Sequence, residues 1–208
     1  MSDDAFTALA RKARACTVCQ PFLDHPVRPI MRGRSSAQIR IISQAPGKRA
    51  HDADAPFHDP SGRRLRDWMG VSEAEFYDES LVAITPMGLC FPGYDAKGGD
   101  KPPRPECAPL WQDRFTAGLP NVSLTLLIGQ YAQKRYLGDQ RKKTLTETVS
   151  HWRNYWPQFV ALPHPSWRNN AWLKRNPWFE KDVLQALKSR IRSMLDDHVD
   201  RTNSQLNR

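Results

Sequence analysis

Hydrophobic positions gather into four short runs, at residues 38–43, 81–84, 124–128 and 159–162. Each run ends at a turn former: Ala45-Pro46-Gly47, Thr85-Pro86, Gly129 and Pro163 in chain order. Short apolar runs bounded this way predict buried strands. Helical spacing fills the intervals. Residues 2–14 place Phe6, Leu9 and Ala13 on one face with Ser2 as cap, and residues 61–68 turn Leu65 and Trp68 inward with Ser61 as cap. Residues 109–119 and 130–137 predict two more helices. The last has Asn176 at its cap, Pro177 in its first position, and Val183, Leu184, Leu187, Ile191 and Leu195 along one face. Glycine and proline make residues 93–106 a loop, and a polar, fraying tail follows Asp196. Strands alternating with helices four times over predict a three-layer α/β/α sandwich on a four-stranded parallel sheet. No second composition regime interrupts the chain, so residues 1–208 are expected to form a single domain.

Composition narrows the setting. No apolar run approaches the roughly 18–20 residues of a membrane-spanning helix. The acidic start, Met1-Ser2-Asp3-Asp4, carries no apolar signal segment, so a cytoplasmic protein is expected. Lysine and arginine number 31 against 22 acidic residues, giving a net charge of +9. That excess favours a polyanionic partner, because each neutralised phosphate releases condensed counterions.

The four cysteines read as one set: Cys16 and Cys19 two residues apart, then Cys90 and Cys107. Reduced thiolates at C-x-x-C spacing can share one metal centre, and a second pair brought close by folding completes four ligands. Spacing alone leaves zinc and iron–sulfur both open. Zinc ribbons usually repeat a second C-x-x-C, which is absent here, and this favours iron–sulfur.

Two loops carry the candidate chemistry. After the first strand, Ser43-Gln44-Ala45-Pro46-Gly47 has small residues that let the backbone approach a flat ligand. Phe57, between Pro56 and a polar run, can stack on a base, although a core phenylalanine under a loop would look the same. His51, Asp52 and Asp54 add titratable groups nearby, as a solvated turn would. After the fourth strand, Pro163 and Pro165 stiffen the backbone around His164 at the strand's carboxyl end, where parallel sheets bind ligands. Trp167 and Arg168 follow with a flat apolar surface and a fixed cation.

Gln44-Ala45-Pro46-Gly47, Pro56-Phe57 with Ser61-Gly62, the four cysteines and His164-Pro165-Ser166-Trp167-Arg168-Asn169 together resemble the uracil-DNA glycosylase superfamily, closest to its iron–sulfur, family 4-like branch. The resemblance covers roughly residues 10 to 195. It implies an α/β/α fold, a [4Fe-4S] cluster on Cys16, Cys19, Cys90 and Cys107 with zinc the lesser alternative, and DNA as partner. The implied activity is removal of uracil or a related deaminated base by a monomer in base-excision repair. His164 and Gln44 are the implied catalytic residues. Ala45, Pro46, Gly47 and Phe57 would bind the flipped base, and Ser166, Trp167, Arg168 and Asn169 the DNA. Gln44 stands where that branch has glutamate and can only orient a water, so either the water needs little activation or Asp52 or Asp54 helps. Ser43 replaces a glycine, Pro86 aligns with the asparagine that reads the uracil edge, Trp167 replaces a proline, and Lys48 and Arg49 replace acidic residues. These departures leave open an inactive nucleic-acid-binding member of the same fold.

Overall fold

The computed structural model describes residues 4–206, with side chains through His198, and places the four predicted strands in one sheet. Strands β1 (Ile39–Ile42), β2 (Val82–Ile84), β3 (Leu124–Ile128) and β4 (Phe159–Leu162) run parallel in the order β2-β1-β3-β4. Ile39 pairs with Val82 on one side and Leu124 on the other, and Thr125 pairs with Phe159. Nearly every strand residue is buried. Helices cover both faces, which is why the strands read as continuous apolar runs rather than alternating ones.

Nine α-helices are present among the described residues: α1 (Ala5–Arg14), α2 (Lys48–Ala53), α3 (Pro60–Met69), α4 (Glu73–Tyr77), α5 (Cys107–Gly118), α6 (Gln130–Leu137), α7 (Leu145–Ser150), α8 (Asn170–Arg175) and α9 (Gln185–Leu206). One core layer joins Ile39 and Ile41 to Leu65 and Trp68 of α3 and Leu187 and Ile191 of α9. The other joins Ala83 to Phe6 and Ala13 of α1 and Trp111 and Phe115 of α5. No helix among the described residues is long and apolar enough to cross a membrane.

Several boundaries differ from the sequence expectation. The Ser2 cap lies outside the described residues, and Asp4 holds the cap position of α1. Asp59, not Ser61, caps α3: its Oδ1 accepts the Gly62 amide at 2.8 Å, and Pro60 takes the first helical position. Asn176 does not cap the last helix. Its side chain bonds back to the Trp172 carbonyl at 2.8 Å, and a π-helical turn over Phe179–Leu184 leads into α9. That helix continues to Leu206 through the stretch expected to fray, since adding residues to an established helix costs little.

Arg40, between Ile39 and Ile41, points to the opposite face and is 3% exposed. It donates to Thr85 Oγ1 at 2.8 Å, Thr116 Oγ1 at 2.7 Å and Gln112 Oε1 at 2.9 Å, and Tyr136 donates to the same Gln112 oxygen at 2.8 Å. Gln112 in turn donates to the Pro86 carbonyl at 2.8 Å, so the network ties α5 to the carboxyl end of β2. Burial lowers the pKa of this arginine. Replacing Arg40 with alanine takes a donor away from Thr85 Oγ1, Thr116 Oγ1 and Gln112 Oε1, of which the last keeps Tyr136, and opens a cavity, so unfolding by denaturant is expected to show a loss of roughly 3 kcal/mol or more.

Candidate active site

Between β1 and β3 the sheet changes direction of winding, and the crevice beyond the strand ends at such a point is where open α/β sheets bind ligands. Here that region holds a cleft of about 450 Å³, a size suited to a small ligand. Three strand-end loops meet in it. Ala45, Pro46 and Gly47 come from the β1 loop, Pro86 from the β2 loop, and His164, Pro165, Ser166, Trp167 and Arg168 from the β4 loop. Phe57 forms part of the wall, ahead of α3.

Phe57 is held under strain. Its φ of +58° lies in the left-handed region, which costs a non-glycine residue about 1–3 kcal/mol. The first turn of α3 sits directly against its backbone: a Cβ on Gly62 would lie 1.8 Å from the Phe57 carbonyl oxygen. Phe76 supports the ring edge-on, with centroids 6.1 Å apart.

His164 is partly buried on the opposite loop. Burial pushes its pKa down, with the Asp59 carboxylate opposing, so the imidazole is neutral at pH 7 and can donate one N–H. Asn169 does not face the cleft; its side-chain amide donates to the His164 carbonyl at 2.7 Å and braces the loop. Arg64 of α3 braces it from the other side, donating to the Ser166 carbonyl at 3.0 Å. Trp167 projects outward, 72% exposed, with the Arg168 guanidinium 5.7 Å from its ring centroid.

Gln44 does not line the cleft with its neighbours. Its amide donates to the Lys101 carbonyl at 3.2 Å and so holds the loop after β2. Asp52 and Asp54 are also turned away. Asp52 pairs with Lys48 at 2.5 Å and Asp54 with Arg14 at 3.5 Å, and neither lines this cleft. His51 packs against His25, ring centroids 4.7 Å apart, and Phe91. The carboxylates that do line the cleft are Asp59 and Asp100. Asp59 was signalled in the sequence by the proline that follows it, the pattern of a helix cap; Asp100 carried no local signal.

The four cysteines are free and converge from three segments: the end of α1, the β2 loop and the start of α5. Their charges would repel one another, raising the Cys19, Cys90 and Cys107 pKa values beyond the effect of burial. Burial is the largest cause, and together with the other effects it brings Cys90 up to about 11 and Cys107 up to about 12. The Leu89 amide donates to Cys107 Sγ at 3.3 Å, and the Arg28 amide donates to the Cys90 sulfur. Among the described residues, no three histidine, cysteine or acidic side chains are gathered tightly enough to hold a single metal ion.

Compared with known families, residues 30–188 match the model of the family described as the Uracil DNA glycosylase superfamily. Among solved structures the chain is similar to a solution NMR structure of a protein from Methanosarcina acetivorans that is provisionally named a uracil DNA glycosylase. The two share 14% identity and a TM-score of 0.46, over 80% of this chain and 97% of that one.

Proposed function

Because the chain belongs to the uracil DNA glycosylase superfamily, we propose that it hydrolyses the N-glycosidic bond of uracil or a related deaminated base in DNA, acting as a monomer in base-excision repair. The observation that carries this reading is the partly buried His164 sharing one cleft with the strained Phe57 and the Ala45–Gly47 turn. A base inside the duplex is out of reach, so the nucleotide rotates out at a cost of a few kcal/mol. Its flat face then stacks on Phe57. Breaking the glycosidic bond sends the electron pair onto the base and leaves positive charge on the sugar. The His164 N–H, aimed at a base oxygen, stabilises that anion by roughly 3–4 kcal/mol. Trp167, held out by the two braces on its loop, is suited to wedge into the stack the base has left, with Arg168 beside it for a phosphate. An alkali-cleavage panel on single- and double-stranded DNA carrying each deaminated base tests the reading. Strand scission at one or more of them is expected; no scission at any would overturn it. Salt-sensitive DNA binding without base release would instead favour a binding protein of this fold, a reading that the displacement of Gln44 from the cleft supports.

The cysteines support the iron–sulfur form of the family. Four thiols converge, two of them already accept backbone amides, and Arg104 lies beside Cys19. Cys16, Cys19, Cys90 and Cys107 would hold a [4Fe-4S] cluster that, when bound, cross-links the amino-terminal segment, the β2 loop and α5. The purified protein is expected to be brown with iron and sulfide in equal amounts, and Cys107→Ser to lose both the colour and several degrees of melting temperature. A colourless wild-type protein carrying one zinc per chain would contradict the assignment.

A further inference from the structure

Gln44 cannot accept a proton, and its side chain is spent on another task. The segment it holds is a tight hairpin at residues 93–101. Lys101 donates its amide to the Gly93 carbonyl at 2.9 Å, and Asp95 donates its own to the Gly99 carbonyl at 2.7 Å. The Asp95 carboxylate gathers the Lys97 and Gly99 amides at 2.8 and 2.9 Å. Two loops of the cleft clamp the hairpin: Gln44 on the Lys101 carbonyl at 3.2 Å, and Arg168 on the Gly98 carbonyl at 3.4 Å. Between those clamps stands Asp100, whose Oδ2 lies 3.6 Å from where a Cβ on Gly47 would sit. Its carboxylate therefore rests over the turn that the flipped base would approach, in the cleft lined by His164 and Phe57. No hydrogen bond or ion pair to that carboxylate is found among the described residues.

We propose that Asp100 is the catalytic base, delivered over the cleft by a hairpin that Gln44 holds in place; this rests on the glycosylase reading above. In the step, the C1′–N bond breaks with its electron pair leaving on the base, to which the His164 N–H donates a hydrogen bond. A water oxygen forms the new bond to C1′ and gives its proton to the Asp100 carboxylate. Asp59 is less suited to the task, because its Oδ1 is occupied by the Gly62 amide. Its charge still faces both Asp100 and His164. The groups acting on Asp100 support the role. Crowding by protein raises its pKa above the ordinary carboxylate range, Arg168 opposes this, and Asp59 and Asp95 reinforce it. Excision by the wild-type protein is therefore expected to fall away on the acid side at a pH above that of an ordinary carboxylate.

Single-turnover excision from uracil-containing DNA, measured across pH, tests the proposal with Asp100→Asn, Gln44→Glu and their combination. Asp100→Asn is expected to slow excision about 100-fold and remove the acid limb, with DNA binding and melting temperature unchanged. Gln44→Glu in that background should restore nothing. An Asp100→Asn protein with the wild-type rate and pH profile would overturn the proposal while leaving the glycosylase reading intact. Rescue by Gln44→Glu would overturn it as well, placing the base on the β1 loop. A wild-type protein inactive on every deaminated base would remove both.

Discussion

His164→Ala is expected to slow base excision by about 100- to 1,000-fold with the fold intact, the loss seen when one preorganised donor to a developing anion is removed. The magnitude follows from where the ring sits. In water an N–H facing an anion competes with solvent, but here burial of the imidazole already lowers its pKa, a sign that water reaches it poorly. The Asn169 and Arg64 braces hold the loop before any substrate arrives, so little reorganisation is left for the reaction itself. Single-turnover rates should carry the whole effect, with binding of uracil-containing DNA little changed. A loss confined to binding would make His164 a contact rather than a catalytic donor. The ring also marks stability. Its folded pKa lies below the unfolded value, so its neutral form favours the fold above the ordinary histidine pKa, and that contribution is lost as pH falls through the folded pKa. The alanine variant should lack this part of the acid sensitivity.

Gly62→Ala is expected to be almost as damaging, although residue 62 touches no substrate. Its φ is ordinary, so conformational freedom is not the reason for glycine here. A methyl group would sit 1.8 Å from the Phe57 carbonyl oxygen and 2.9 Å from its Cβ. Both neighbours are fixed: the oxygen by the strained backbone at Phe57, the glycine by the Asp59 cap of α3. Something must move by more than an ångström, and a misplacement of that size can cost about 100-fold in rate. Overpacking of this kind also costs about 1–3 kcal/mol of stability. The expected result is therefore a protein that melts lower and excises about 100-fold more slowly, with the lost rate persisting at temperatures where it is fully folded. A wild-type rate at such a temperature would show that the Phe57 wall does not position the base.

The sheet was legible because parallel strands covered on both sides must be apolar throughout. Ile39, Ile41 and Leu124 to Ile128 have few other uses in a chain this polar. The helices α2, α4, α7 and α8 were missed for the opposite reason: at five or six residues each, they make barely one and a half turns, too few for a face to repeat. Caps were misplaced where two candidates adjoin. At α3 the proline in position 60 would have favoured Asp59, since proline suits the first helical residue rather than the third. Ala45 to Gly47, Phe57 and His164 line one cleft, and each was singled out because it follows a strand or a proline that fixes its backbone. Gln44 was read as catalytic and Asn169 as a DNA contact; in the fold their side chains bond the Lys101 and His164 carbonyls, which no local pattern signals. Asp100 was hidden because the register of its hairpin depends on clamps from residues 44 and 168, far away in sequence.

The central claim is that one extruded base enters the cleft between Phe57 and His164, and a crystal structure of the product complex, abasic DNA with the released base, measures that directly. The base is expected face-on against the Phe57 ring with an oxygen in hydrogen-bond reach of the His164 imidazole, and Trp167 inside the duplex. A base bound elsewhere, or DNA seated across a different face with the cleft empty, would contradict it.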